Sequence, residues 1–489
     1  MSSMVGNLAL LIWPVVCAVL FNRLRIELAL IWSILGGYLL LPPLVEFDLP
    51  LLPALDKFSI PSFSAFLIIV FVLGRRVSLL PENRLGKLLV LALVLNAVPT
   101  VLTNGDPMVF GAAAGMTGAD AETTVIPGLK IRDLLSVFVK QMIMLLPFLM
   151  GRQLLASEQG MRDLLVALVI AALAYSVLAL AEVRLSPQLN IWVYGFFQHS
   201  FAQMMRGDGF RPIVFLPHAL WLALFMLCSL LAAAGLARHA PPETRGRFII
   251  ATVYLGVVLY LCKSLASQLY AVALLPIILL GGLRLQVLVA LGFAALAVTY
   301  PVLRNLGLVP LDLILAQAEA ISPDRAQSLG FRFQNEEMLL ERAREKWLFG
   351  WGGWGRNLVR DDVTGDLITV PDGRWIITFG TYGWVGYLSE MGLLAMPVVL
   401  MWRASRAAAD VALSPLAVTL VLILAITMVD MLLNDTLVPF TWMIAGAVLG
   451  YCERLELERL KMRGAGAVEG GQRVVIGQED RDRGRRTIL

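Results

Sequence analysis

The chain is poor in charge and in side chains that hold metals. Only 16% of its 489 residues are Asp, Glu, Lys or Arg, against about 25% in soluble domains. It has four cysteines and three histidines. Cys17, Cys228, Cys262 and Cys452 lie singly in or beside apolar runs. No pair has metal-ligand spacing, which argues against both a zinc module and a disulfide framework. His199, His218 and His239 are too few for a histidine-rich centre, so no metal and no other cofactor is expected. The net charge of +4 is small for this length, and no nucleic-acid partner is expected. The strict alternation of a membrane β-barrel is also missing, because the apolar runs are continuous.

What the chain has is apolar residues: 58% of the total, with mean hydropathy +0.77. A bilayer core takes about 20 mostly apolar residues per helix, and such runs recur throughout. They predict an all-α, polytopic helical membrane protein. Helices are expected near 8–21, 26–44, 61–74, 86–103, 133–150, 163–182, 213–236, 248–262, 266–283, 285–303, 383–401, 415–433 and 437–451. That is about 13 spans, within a range of about 12–14. The opening stretch "MSSMVGNLALLIWPVVCAVLF" lacks a basic n-region and a cleavage site, and is expected to be the first membrane helix rather than a signal peptide.

Arginine and lysine fall at every second connection: Arg23/Arg25, Arg75/Arg76/Arg84/Lys87, Arg152/Arg162, Arg238/Arg245/Arg247, Arg284, Arg403/Arg406. Short cytoplasmic loops carry such an excess. The N-terminus is therefore expected outside. Residues 1–451 read as a membrane domain and 452–489 as a cytoplasmic basic tail, partly disordered. The same alternation puts the longest loop, 304–382, on the outer face. That loop carries "FRFQNEEMLLERAREKWLFGWGGWGRN" from Phe331. Helical spacing puts Met338, Leu339, Ala343 and Trp347 on one face, and the glycines then break the helix.

Arginines on an outer face run against the positive-inside rule. Arg332 and Arg374 in the long loop join Arg206 and Arg211 before the helix near 213, and Lys263 beside Ser264 at a helix boundary. Guanidinium forks grip phosphate oxygens and keep their charge. A lipid-linked diphosphate at the interface is a natural partner for such a set. The plainer reading is snorkelling to headgroups and pairing with nearby acids. Asp372 is a candidate general base or simply a partner for Arg374. Trp347, Trp351, Trp354, Trp375 and Trp384 suit sugar stacking or a membrane interface. Glu390, Asp430 and Lys140 are expected within membrane helices, where ionisable groups default to a functional hypothesis. Lys140 is a candidate partner for either acid, and Asp430 is expected near enough to the surface to be hydrated.

Four stretches in chain order, "GFRPIVFLPHAL", "CKSLASQ", "RAREKWLFGWGGWG" and "DGRWIITFGTYGWVGYLSEMGLL", with "LLPFLMGRQLL" as a fifth, resemble the O-antigen ligase and O-antigen polymerase superfamily of bacterial membrane glycosyltransferases. The resemblance covers about residues 130–450. It implies transfer of a glycan from a polyprenyl diphosphate to an acceptor, without an obligatory metal. By position, Arg211 is similar to the arginine before the mid-chain helix and Arg332 to the one that opens the long loop. Asp372-Gly373 stands where the family has a His-Asn pair, and this departure favours a polymerase over a ligase to lipid A-core.

The expected function is therefore glycan polymerisation in the bacterial inner membrane, with the active site facing the periplasm. The donor-binding residues would be Arg211, Arg332, Arg206, Lys263 and Arg374. Asp372, Glu336 or Glu337 would take the acceptor's proton. Trp351, Trp354 and Trp375 would orient sugars. Partners would be a polyprenyl-diphosphate-linked glycan, a glycan or lipid-linked acceptor, membrane lipids, a flippase and a chain-length regulator. Two readings from other classes stand beside it. A secondary transporter predicts repeated halves, and no internal repeat is visible. A scaffold within an export complex predicts no special chemistry.

Overall fold

A computed structural model describes residues 3–49, 52–110, 124–206, 209–406 and 413–483. The described residues are mostly helical, with only two two-stranded pairs of strands. Among them, eight helices are long and apolar enough to cross a membrane, and four shorter apolar helices accompany them. This is an all-α membrane protein.

The helices are α1 (Met4–Arg23), α2 (Ile26–Leu40), α3 (Ser59–Leu67), α4 (Arg84–Leu95), α5 (Ala97–Leu102), α6 (Ile131–Leu154), α7 (Glu158–Leu185) and α8 (Leu189–Tyr194). There follow α9 (Ala219–His239), α10 (Pro242–Leu261), α11 (Leu265–Leu280), α12 (Leu283–Asn305), α13 (Leu311–Ile321) and α14 (Pro323–Arg344). The last are α15 (Arg374–Arg406), α16 (Pro415–Asp430) and α17 (Pro439–Arg483). The strand pairs are β1 (Met108–Phe110) with β2 (Thr124–Ile126), and β3 (Met205–Arg206) with β4 (Gly209–Phe210).

The centre is built from helices that are apolar all round. Such helices are buried on every side. α9, "ALWLALFMLCSLLAAAGLARH", contains no β-branched residue and is buried almost throughout. α16 is buried along nearly its whole length beside it. Gly235 lets α9 approach α16: a Cβ there would stand 2.5 Å from the Thr419 side chain. α7, α10, α11, α12, α15 and α17 surround this pair.

α6 and α17 meet along a glycine seam. A Cβ at Gly446 or Gly450 would stand 2.0 Å from the carbonyl oxygens of Phe148 and Arg152. The GxxxG spacing puts both glycines on one helix face, where backbones can touch. Below the seam, Arg152 Nη1 donates to Glu453 at 2.8 Å with both side chains buried. Glu453 also accepts from the backbone of Glu82 and Asn83. Elsewhere, Arg25 pairs with Asp163 at 2.8 Å, and Arg238 donates to the carbonyls of Ile278 and Gly281.

Each apolar run read from the sequence corresponds to a helix, with three differences in extent. The helix expected from 213 begins at Ala219, because the segment before it, which holds Pro212 and Pro217, turns at Val214 (φ 54°) and bends through 216–218. The helix expected from 383 is the second half of α15, which starts at Arg374 and breaks at Gly383 (φ 64°, ψ −165°). α17 runs on as helix past the boundary expected at 452.

Candidate functional site

The segment "WLFGWGGWG" is folded into the break in α15. Gly383 lies nine residues, about 13 Å, along that helix from Arg374. The loop backbone replaces the helix's own hydrogen bonds. Trp351 N donates to Gly380 O and Gly352 N to Thr381 O, each at 2.9 Å, while Trp384 N donates to Trp347 O at 2.8 Å. Buried side chains of α4, α5 and the turn after them complete the set. Asn96 donates to Tyr382 O, Thr100 to Phe349 O and Asn104 to Gly350 O, at 2.7–2.9 Å. Irregular backbone at membrane depth is tolerated where protein surrounds it in this way. Gly350 and Gly383 are required here: a Cβ on either would stand within 2.4 Å of opposing backbone, and both have positive φ.

Most cations of the loop are fasteners. Arg342 stacks on Trp351 at 3.4 Å and pairs with Glu345. Arg344 donates to Asn305, Lys346 to Thr103 O, and Arg356 to the carbonyls of Pro127 and Asp106. Trp347 lies beyond the end of α14 and is exposed, so it does not share the face expected for it. Leu339 and Ala343 are buried as expected, together with Phe333, Asn335, Glu336 and Leu340.

Arg332 on α14 faces the turn after α16. Its Nη1 donates to Leu433 O (2.9 Å) and Asn434 Oδ1 (3.0 Å), and its Nε lies 3.5 Å from Asp372 Oδ2. Asn434 and Thr436 in turn donate to Asp430. Asp430 is thus buried and bonded to protein rather than hydrated. Asn335 accepts from Val370 N at 2.7 Å and fixes the strand of chain that leads to Asp372. Asp372 remains 33% exposed. Burial raises its pKa against the opposing charge of Arg332.

The other carboxylates differ in access. Glu336 is 3% exposed and is reached by Tyr300 and Trp375 at 3.4 Å, with Arg304 3.8 Å away. Burial pushes its pKa up to about 7. Glu337 is 45% exposed and pairs with Arg304 at 2.8 Å.

Arg211 has a different environment. It is 4% exposed, and its Nε has no partner among the described residues. Burial lowers its pKa to about 10, and Arg206, Arg332 and Arg325 oppose its charge further. The chain around it is firmly held. Glu182 accepts from Ile213 N and Val214 N (2.8 and 2.7 Å), Tyr175 from Phe215 N, and Gln198 donates to the carbonyls of Val214 and Leu216. Val214 sits at φ +54°, a conformation that persists only where surroundings enforce it. Lys57, buried between Tyr38 and Phe58, donates to Phe215 O at 2.7 Å.

The structure thus brings Arg206, Arg211, Arg332 and Asp372 into one neighbourhood and assigns other work to the rest. Lys263 holds the β3–β4 turn by donating to Arg206 O at 2.8 Å. Arg374 is neutralised twice, by Glu390 through Nε (2.9 Å) and Nη2 (2.5 Å) and by Asp435 (3.3 Å). It is not the partner of Asp372, and Lys140 pairs with neither Glu390 nor Asp430. Trp375 is buried against Tyr300, which leaves no face for a sugar, and Trp351 is covered by Arg342. Trp354, 58% exposed, keeps a free face. Sequence reasoning missed Glu182 and Lys57. A lone acid near the end of an apolar helix and a lone lysine in "DKF" were the only signals. Among the described residues, no group of three or more His, Cys, Asp or Glu could hold a metal ion. A scan against protein-family models and a search of curated proteins find no match to the chain.

Proposed function

We propose that the chain is a glycan polymerase of a bacterial inner membrane. It joins polyprenyl-diphosphate-linked repeat units of an O-antigen or exopolysaccharide on the periplasmic face. The observation that carries this is Arg211: a buried guanidinium, without a carboxylate partner among the described residues, beside Arg206 and Arg332. A charge held so, in a built and strained segment, calls for an anion. Asp372, accessible and next to Arg332, supplies a carboxylate of raised basicity. It takes the proton of the acceptor hydroxyl as that oxygen attacks the anomeric carbon of the donor. The bond from that carbon to the diphosphate oxygen breaks, and its electron pair leaves with the polyprenyl diphosphate. Arg211 and Arg332 stabilise the charge that develops there. Trp354 is the tryptophan available to a sugar face.

This reading takes about 13 crossings, with the Arg25, Arg152 and Arg238 connections cytoplasmic and 304–373 periplasmic. Asp372 in place of a His-Asn pair favours a polymerase over a ligase. The test is polymerisation of a lipid-linked repeat unit by purified, reconstituted protein. Arg211→Lys and Arg332→Lys keep charge and lose the fork, and should each cut turnover by about one to two decades. Wild-type turnover by both sinks the assignment. Sidedness is checked separately with Asp362→Cys, since all four native cysteines are buried. An impermeant maleimide should label it in intact cells, and failure to label while lysed cells react rejects the topology.

A further inference from the structure

Two of the chain's three histidines meet beside Arg211. The rings of His199 and His218 lie edge to face, 4.4 Å between centroids. They are 19 residues apart, with the paired strands β3 and β4 between them. His218 is the N-cap of α9, and its Nδ1 accepts from Leu220 N at 3.0 Å. His199 Nδ1 accepts from Ser200 N at 2.7 Å. An imidazole whose Nδ1 lone pair accepts a backbone bond must carry its proton on Nε2. Both rings therefore present an Nε2–H, and both are half-buried rather than sealed.

The choice of residue is informative. Ser, Thr, Asp and Asn are the usual N-caps. Any of them would accept the bond from Leu220 N. Histidine adds a donor on the far side of its ring. Burial first, and then charge repulsion from His199, Arg211, Arg332 and Arg206, keeps the His218 ring neutral, lowering its pKa to about 3. Positive surroundings also disfavour a metal, and no third ligand stands near among the described residues. Neutral N–H donors among cations, near Arg211, whose Nε has no partner among the described residues, suit a phosphate oxygen.

We propose that His199 and His218 line the donor site and donate their Nε2–H groups to the diphosphate that Arg211 and Arg332 neutralise. This rests on the donor reading above and extends it to two binding residues. It also bars His218 from acting as a base: its Nδ1 is occupied and its Nε2 already protonated.

Three histidines make the test direct. In protein labelled with 15N-histidine and held in nanodiscs, His199 and His218 should show the Nε2–H tautomer. Geranylgeranyl diphosphate should move both Nε2–H resonances and leave His239, at the other end of α9, unmoved. Inorganic pyrophosphate should move the same two at higher concentration. Phosphatidylglycerol should not. His218→Ala and His199→Ala should each weaken geranylgeranyl diphosphate binding by about tenfold or more, the effect of one hydrogen bond to a charged group. His218→Asn should recover part of the loss, since its amide can both cap α9 and donate. His199→Ala touches no helix cap and keeps the test decisive if His218→Ala misfolds. An Nδ1–H tautomer at His218, movement by phosphatidylglycerol alone, or unchanged affinity in folded variants overturns the proposal. Protein that polymerises glycan while both histidines stay unmoved refutes this site alone. Protein that binds geranylgeranyl diphosphate through them but polymerises nothing refutes the enzyme reading alone.

Discussion

The loop in the α15 break and the segment around Arg211 are both irregular backbone against a membrane helix, yet they are finished differently. In the first, the loop backbone and the carbonyls of the break find donors from Trp351, Gly352, Asn96, Thr100 and Asn104, and the nearby cations reach carbonyls or rings. In the second, the backbone is equally well held, by Glu182, Tyr175 and Gln198. Nε atoms without a partner among the described residues occur in both, on Arg342 and Arg356 and on Arg211, but Arg342 and Arg356 bond through their Nη atoms and Arg211 has no carboxylate partner among the described residues. A polar region whose cations are bonded to its own backbone is architecture. One whose frame is bonded while its buried guanidinium has no carboxylate partner among the described residues is what the proposed donor site requires.

The sharpest way to break this contrast is to strike both regions. Gly383→Ala puts a Cβ 2.3 Å from the Leu348 carbonyl carbon at a positive φ. It should cost about 3 kcal/mol or more, read as lost yield and a lower unfolding midpoint in detergent. Arg211→Met should do the reverse. Removing a buried cation that has no carboxylate partner among the described residues should raise the unfolding midpoint while abolishing turnover; destabilisation would mean that Arg211 is a structural pin. Asp372→Asn should lower kcat by about 10²–10⁴-fold with an unchanged melting profile. A normal kcat would leave Asp372 only its ion pair with Arg332.

Glu336 gives a pH signature. Its folded pKa of about 7 lies above the ordinary 4.5, so the folded state holds the proton more tightly. Stability should therefore be greatest below pH 4.5 for this group and be lost as pH rises towards about 7. Denaturant titrations of Glu336→Gln should lack that decline. The smallest effect is expected from Glu337→Gln, which removes a half-exposed pair with Arg304 and should change stability by under about 1 kcal/mol.

The helices were legible because long apolar runs state their own length and burial. The broken helix was not. "FGTYGWVG" offers three glycines at equal spacing, Gly380, Gly383 and Gly386, and only contact with Leu348 selects one as the break. Arg211, Arg332 and Asp372 were visible because they are charges in unexpected places. Lys263 looked alike and misled, since its acceptor is a carbonyl oxygen, which leaves no trace in the residue pattern. Trp375 misled for a related reason: its burial is decided by Tyr300 and Glu336, far away in sequence. The histidine pair spans β3 and β4, two-residue strands too short to announce themselves.

The seam between α6 and α17 bears on how the molecule is made. Arg152 and Glu453 are separated by 301 residues. At about 5–20 residues per second, a ribosome takes roughly 15–60 s to deliver the second after the first. Throughout that interval the groove of α6 that receives the α17 glycines has no mate, and a buried-to-be arginine has no counter-charge. A newborn chain stalled before Pro439 would present that open groove to lipid and to the membrane's proteolytic surveillance. Closing it is a late step of assembly, and whatever interrupts synthesis before then would yield not a shortened protein but a degraded one.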